Sequence, residues 1–380
     1  MSDHREGSVL ENGLDQIVLR ISESALDRML QRIRLASGFN TDQSYEFNSL
    51  GFSKVEARLE LRESRLRLRQ ADGGAVRFDL AIRAEFRFGL PYPDRRIDLS
   101  CAVLVKPELG RVGNDGLVLS TDFASARLRD VRARRSSRGG MLGFDPSGLD
   151  PFAEDRWGEM AKLALRAALR KLGSRQGKLT GGSVGRLLKA ASDTSTLAIV
   201  ISDHEIEIRA TANASTAVDV AAEPRNQADA RLTLGDSVLT RLFDDFMKTR
   251  TWGNGWRIES LRIRSSTREI HVDAEILPRV PYWPESWRIR LRAGLSPRLD
   301  ARGIGLRLED LGGDGPALPN WTRRLILRAL ATRLEERSWQ RSLSLRVPLS
   351  EDEHWNLELG RIELRDGSVD LVLDTDPPSG

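Results

Sequence analysis

Only one cysteine and four histidines occur in the 380 residues. Cys101 has no second cysteine to bond within the chain, which excludes a disulfide framework. It lies in the run RIDLSCAVLVK, in phase with Ile97, Leu99 and Val103, and reads as a small buried hydrophobe. His4, His204, His271 and His354 show no metal-ligand spacing with one another or with the cysteine, so zinc sites and Cys/His catalysis are disfavoured. His271 is out of phase with Ile270 and Val272 and should face solvent, while His204 belongs to an SDHE turn. No apolar run reaches the ~18 residues that a transmembrane helix needs. The opening MSDHREGSVLENGLDQIVLR has no apolar core of a secretory signal, so a cytoplasmic location is the expectation. Charge of one sign is also missing in excess: 59 basic residues against 55 acidic ones leave +4, which permits contact with an anionic surface without demanding it.

Catalytic signatures are equally sparse. No phosphate-binding loop or dinucleotide fingerprint is present. GGSVG at 181–185 spells G-x-S-x-G, but a nucleophile elbow needs a strand before it, and SRQGKLT reads as the exit of a helix. Carboxylates alternate with arginines along strands and read as solvated pairs. No enzyme activity, cofactor or metal is expected.

What the chain does have is repetition. RISESALDRML (20–30) and TLGDSVLTRLF (233–243) align at an offset of 213, with Ser24 on Ser237, Leu26 on Leu239 and Arg28 on Arg241. EMAKLALRAALRKL (159–172) and RRLILRALATRLEE (323–336) align at 162 through LALRAA and LILRAL. TLAIVISDHEIEIRAT and ELGRIELRDGSVDLVL align near 163, with Asp203 on Asp366. The order is the same each time: short helix, strands, longer helix, final strands. The organisation expected is a flexible terminus (1–14), a first module (15–220), a linker (221–230), a second module (231–376) and a tail (377–380).

Between the helices lie long amphipathic strands. In GGAVRFDLAIRAEFRFGL, Val76, Phe78, Leu80, Ile82, Ala84, Phe86, Phe88 and Leu90 share one face over fifteen residues, and arginines and acids share the other. Such strands belong in an antiparallel sheet with water on one side. Strands this long twist and coil, which makes the apolar face concave. Leu99 and Val103 continue that face in the next strand. In the second half, Ile270, Val272, Ile276, Ile289 and Leu291 take the same role on strands expected to be shorter. A phase slip between Ile258 and Leu261 suggests a bulge, and Gly303 with Gly305 suggest a bend or a close backbone approach. The longer helix sets Met160, Leu163, Ala164, Ala167 and Ala168 at helical spacing, so Leu163 is expected to face the groove.

Two surface features stand apart. RLRDVRARRSSR (127–138) holds six arginines, among them Arg132, Arg134 and Arg135. It reads as a solvated basic loop, a lipid-surface contact or a nucleic-acid contact, and its lack of interleaved aromatics disfavours the last. RVPYWPESW (279–287) brings Tyr282, Trp283 and Trp287 to a turn, suited either to a membrane–water interface or to capping the core.

Two copies of long apolar-faced strands around a helix, with the SESAL and GDSVL helix starts and the ELGRIELRDG ending, resemble the tubular lipid-binding (TULIP) superfamily. The tandem form is similar to the bactericidal/permeability-increasing protein arrangement. The resemblance implies an α+β fold in which each module curls an antiparallel sheet around a long helix. It also implies an apolar groove for acyl chains, lined by Val76, Phe78, Leu80, Ile82, Phe86, Phe88, Leu99, Val103, Leu163, Ile270, Val272, Ile276, Ile289 and Leu291. A lipid or other acyl-chain ligand is the implied partner, with membrane contact through Tyr282, Trp283, Trp287, Arg132, Arg134 and Arg135. The alternative is a structural or protein-interaction module that keeps the fold without the pocket.

Overall fold

The computed structural model describes residues 16–36, 43–49, 52–87, 95–112, 116–135, 154–172, 174–178, 196–211, 228–249, 256–278, 288–300, 303–314, 344–348 and 354–375. A seven-stranded antiparallel sheet takes strands from both ends of the chain. Its order is β10 (Thr196–Ser202), β11 (Glu205–Thr211), β1 (Gln16–Ser22), β12 (Ala230–Gly235), β19 (Ser368–Thr375), β18 (His354–Arg365), β17 (Ser344–Pro348). A five-stranded sheet runs β2 (Gln43–Ser49), β3 (Phe52–Leu68), β4 (Val76–Arg87), β5 (Arg95–Val105), β8 (Arg127–Arg135). Four strands of the second half form β13 (Trp256–Ser265), β14 (Ile270–Pro278), β15 (Ile289–Asp300) and β16 (Gly303–Asp314). A small sheet joins β6 (Pro107–Val112), β7 (Gly116–Asp122) and β9 (Ser174–Lys178). The described helices are α1 (Glu23–Ala36), α2 (Glu154–Leu172) and α3 (Asp236–Thr249). The α+β class expected from the sequence holds.

The two helix starts that match in sequence also match in contacts. Ser22 Oγ accepts the Ala25 N–H at 3.2 Å and caps α1. In α1, Glu23 Oε2 accepts the Leu68 N–H and Asp27 Oδ1 accepts the Leu66 N–H, each at 2.8 Å. In α3, Asp236 Oδ1 accepts the Ser265 N–H and Thr240 Oγ1 accepts the Ile263 N–H, each at 2.9 Å. The hairpin turns close the same arrangement. His204 donates its N–H to Leu68 and accepts from Glu23; Gly367 donates to Ser265 and accepts from Asp236. Both turn residues have positive φ, 72° and 82°, a conformation natural to Gly367 and less common for His204. Asp203 and Asp366, aligned in the sequence, accept the N–H of Gln70 and of Thr267. The helix-start motif is therefore a clamp: its side chains hold the ends of β3 and β13. Bulges recur too, between Leu61 and Glu63 against β4 and between Ile258 and Ser260 against β14. The second is the bulge expected from the phase slip.

β1 and β12 lie side by side in a ladder centred on Leu19↔Leu232, with Ile17↔Leu234 and Ile21↔Ala230 on either side. At the offset of 213, each flanking pair is the other with its strands exchanged. One face of the sheet carries Ile17, Leu19, Ile21, Ile206, Ile208, Leu232, Leu234, Leu371 and Leu373 into the main core. Ala25 and Leu26 of α1 and Val238 and Leu239 of α3 cover it. The other face carries charge. Arg20 sits opposite Arg231, a like-charge pair that would be destabilising alone. Glu207 is 3.2 Å from Arg20 and 2.6 Å from Arg209; Asp370 is 3.1 Å from Arg231 and 2.8 Å from Arg365. A slip of either strand by one residue would turn its arginine toward the apolar core, so the charge pattern fixes the register.

Asp229, just before β12, ties three segments together. Its carboxylate pairs with Arg28 of α1 and accepts the Thr375 N–H at 2.9 Å and the Thr375 hydroxyl at 2.5 Å. Burial opposes its ionisation, but the Thr375 bonds, then Arg28, outweigh it and hold the carboxyl below the ordinary range. A depressed folded-state value stabilises the protein above the unfolded pKa of about 3.9 and loses that stability as pH falls through the folded value. Asp229→Asn should therefore cost about 1–3 kcal/mol at neutral pH. In urea titrations repeated at falling pH, the gap between variant and wild type should narrow below about pH 4. A gap that stays constant through that window would refute the assignment.

Lengths in the second half differ from the expectation of shorter strands. β13 and β14 are short, at 10 and 9 residues, but β15 and β16 have 12 each, as many as β4. The residues beyond the alternating apolar stretch pair as well, down to Asp300↔Gly303, which sequence alternation does not register. The β15/β16 ladder shifts between Gly294 and Leu295, away from Gly303 and Gly305. β4 itself ends at Arg87, so Phe88 and Leu90 fall outside the described residues.

Candidate functional site: an apolar groove between sheet and helix

α2 is in contact with both β2 and β8, the two edge strands of the five-stranded sheet. A sheet whose two edges reach one helix must curl around it, so helix and sheet enclose an interior. The helix turns a mostly small face inward: Met160, Ala161, Ala164, Leu165, Ala168 and Leu169 are buried against the sheet. Three alanines on that face let the backbones approach closely. Leu163 does not join them. It is 38% exposed, because a stripe centred on Ala164 and Ala168 leaves residue 163 on the opposite side of a 3.6-residue turn. The expectation that Leu163 faces the groove is corrected here.

The other candidate lining residues that are described divide into four groups. Ile82, Phe86, Leu99 and Val103 are 0–6% exposed and already packed by neighbours. Val76 and Ile270 are buried in the main core, with Val272 against it. Ile276, Ile289 and Leu291 form a small separate cluster with Ala274, at 3–9% exposure. Phe78 and Leu80, like Val272, point inward yet are only half-buried. Around them lie further half-buried apolar side chains that sequence reasoning did not single out: Leu61, Phe123, Leu128, Val131 and Ala133. Phe78 and Phe123 stand 6.0 Å apart, centroid to centroid, at 46°. One row of the sheet runs Phe78–Val103–Leu128 and another Ile82–Leu99–Ala133. Among the described residues packed around α2, the incompletely covered apolar side chains gather on β4 at Phe78 and Leu80, on β3 at Leu61, at Phe123 and on the inner face of β8; half-buried apolar side chains such as Ile258, Leu261 and Val272 also occur in the second half.

β8 corrects a second expectation. Arg132 and Arg134 lie on a strand, as does Arg135, rather than in a loop, because Leu128, Val131 and Ala133 pack inward. Asp130 interrupts the alternation with φ 53°, where the β5/β8 ladder shifts register. Tyr282, Trp283 and Trp287 fall outside the described residues, as does GGSVG. The segment before GGSVG forms β9, a strand rather than a helix exit. β9 is the edge of an antiparallel three-stranded sheet, unlike the strand that feeds a nucleophile elbow.

Cys101 is 5% exposed and on the inner face, as its phase indicated. Burial, with a smaller contribution from the Asp79 charge, pushes its thiol up to about 11. Only about a thousandth of it is thiolate near pH 8. Ellman's reagent should leave the native protein unreacted and titrate one thiol in denaturant; rapid native reaction would contradict the placement. His271 is half-exposed beside Glu269, facing solvent as expected. Among the described residues, no group of three or more His, Cys, Asp or Glu is placed to hold a metal ion, and no helix is long and apolar enough to cross a membrane.

No family model and no curated protein matches the chain. Solved structures do. A crystal structure of lipopolysaccharide binding protein aligns at 12% identity and a TM-score of 0.38, covering 96% of this chain and 99% of the other. P47 of Clostridium botulinum E1 aligns at 8% identity and a TM-score of 0.40, covering 96% and 100%.

Proposed function

We propose that the protein is a non-enzymatic lipid-binding or lipid-transfer protein that holds acyl chains in the groove between the curled five-stranded sheet and α2. The reading rests on one observation: apolar side chains that face the interior but stay half-buried, Phe78, Leu80, Phe123, Leu128, Val131 and Ala133. Apolar surface left open inside a fold favours an apolar occupant over water. Each methylene buried there contributes about 0.8 kcal/mol. The chain is read as two tandem modules, 15–220 and 231–376 joined by 221–230, and the repeated clamps and bulges support that division. A contact with a membrane through Tyr282, Trp283 and Trp287 belongs to the same reading.

A second reading has its own support in the second half of the chain. There the expected lining residues Ile270, Ile276, Ile289 and Leu291 are 3–7% exposed, Ile270 in the main core shared with the first half and the other three in a small cluster of their own. That half is read as a solid module serving structure or protein interaction, and the lipid is assigned to the first half. Organic-solvent extraction of the purified protein, followed by mass spectrometry, tests the proposal. Acyl lipid should co-purify in near-stoichiometric amount. If none does and labelled phospholipid fails to bind, the lipid reading gives way to the interaction module.

A further inference from the structure

From the seam between β8 and α2 we infer a docking face for an anionic membrane, on which the first module lies side-on. The inference rests on the lipid reading for its purpose but on different residues for its evidence. β8 is the last strand of its sheet, and its outer edge meets the helix rather than another strand. Arg127, Arg129, Arg132 and Arg134 are all exposed on it. Ordinary alternation could not place them together, since Arg129 and Arg132 are three residues apart. Asp130, at positive φ, inserts the extra residue that brings both pairs to the outer face while Leu128, Val131 and Ala133 face inward. The row spans roughly 23 Å along the strand.

Among the described residues, two acids on and beside this row are already engaged. Asp130 lies 3.2 Å from Arg77, and Asp98, across the ladder from Arg134, lies 3.3 Å from Arg83. On α2, the helix packed on β8, Leu163, Arg166 and Arg170 are also exposed. Glu159 on the same helix is paired with Lys162 at 2.7 Å. Six exposed arginines and an exposed leucine, carried on two elements that pack together, match the chemistry of a headgroup layer over hydrocarbon: guanidinium groups meet phosphates, and the leucine enters the interface. Nucleic acid would be met by the same charge, but base contact would call for aromatic side chains that this face lacks. An extended row of this length sets the strand parallel to the bilayer, and brings the half-buried groove residues on the inner face of β8 close to it.

Vesicle co-sedimentation with the full chain tests the inference. Phosphatidylcholine vesicles, alone and with phosphatidylglycerol added, are compared at low and high salt. Wild type should bind only the anionic vesicles, and salt should release it. Each arginine replaced should weaken binding about fivefold, so the Gln variant of all four β8 arginines should lose on the order of several hundredfold. The corresponding Lys variant should keep most of the binding, and Leu163→Gln should weaken it severalfold. The unreacted Cys101 thiol checks that each variant is folded. Equal binding of wild type and the Gln variant, or equal binding to neutral vesicles, overturns the inference, as does loss of affinity for duplex DNA with vesicle binding intact. Binding of a labelled fatty acid without vesicles is measured in parallel. It should be unchanged in the Gln variant, so failure of the docking face and failure of the groove give different results.

Discussion

Asp236→Ala should destabilise the protein by about 3–5 kcal/mol, the largest loss expected from any single clamp residue. The carboxylate is buried at 6% exposure, and its Oδ1 accepts both the N–H and the hydroxyl of Ser265. Alanine leaves those two donors inside the fold with no acceptor, at about 1–3 kcal/mol each. It also removes a negative charge from the first turn of α3, worth roughly another 0.3–1 kcal/mol. The comparison with Glu23→Ala makes the test sharp. Glu23 takes the equivalent position in α1, but its side chain is 20% exposed and accepts one donor from β3, the Leu68 N–H, where Asp236 accepts two from β13. The expected loss there is nearer 1–2 kcal/mol. Urea unfolding of both variants should give this order. Equal losses, or a loss under about 1 kcal/mol for Asp236→Ala, would mean that the clamp does not hold β13 to the core.

Ala133→Trp should lower affinity for an acyl chain by roughly a hundredfold while leaving the protein folded. Ala133 faces the interior in the row with Ile82 and Leu99, yet it is only half-buried, so a larger side chain has open space to enter. An indole there displaces three or four methylenes of a bound chain, at about 0.8 kcal/mol each, or about 3 kcal/mol in all. Ala84 is the contrast. It shares the inner face but is 0% exposed, and a tryptophan there has no free volume. Ala84→Trp should lose 1–3 kcal/mol or more of stability through overpacking. Calorimetry with a soluble fatty acid, together with thermal melts, separates the two. If Ala133→Trp binds as tightly as wild type, the half-buried row is not the site.

Much of this architecture was legible because it rests on local periodicity. The parity of Val76 through Phe86 and of Ile97 through Val103 gives the inner face directly. The break between Ile258 and Leu261 is a real bulge. Similar breaks mark the bulge between Leu61 and Glu63 and the one at Asp130, where the inward residues run Leu128, Val131, Ala133. Leu163 was misread because helical spacing gives a stripe but not its centre, and Ala164 and Ala168 decide that centre by fitting close to the sheet. Contacts distant in sequence left no local sign. Asp229 looks like linker composition, yet its partners Arg28 and Thr375 lie 201 and 146 residues away. The pairing of β1 with β12 is likewise invisible to alternation, which says which side faces inward but not which strand lies beside it. The groove was legible as an apolar face. Its open part was not, because half-burial depends on what the rest of the fold covers.

The central claim is that an acyl chain occupies the interior between the five-stranded sheet and α2. A fatty acid carrying a diazirine along its chain, bound to the purified protein, irradiated and mapped by peptide mass spectrometry, tests it most directly. The account predicts adducts on peptides of β4 around Phe78 and Leu80, on the turn bearing Phe123, and on β8 at Leu128 to Ala133, all suppressed by excess unlabelled fatty acid. Adducts confined to other surfaces, or adducts that unlabelled fatty acid does not suppress, would contradict it.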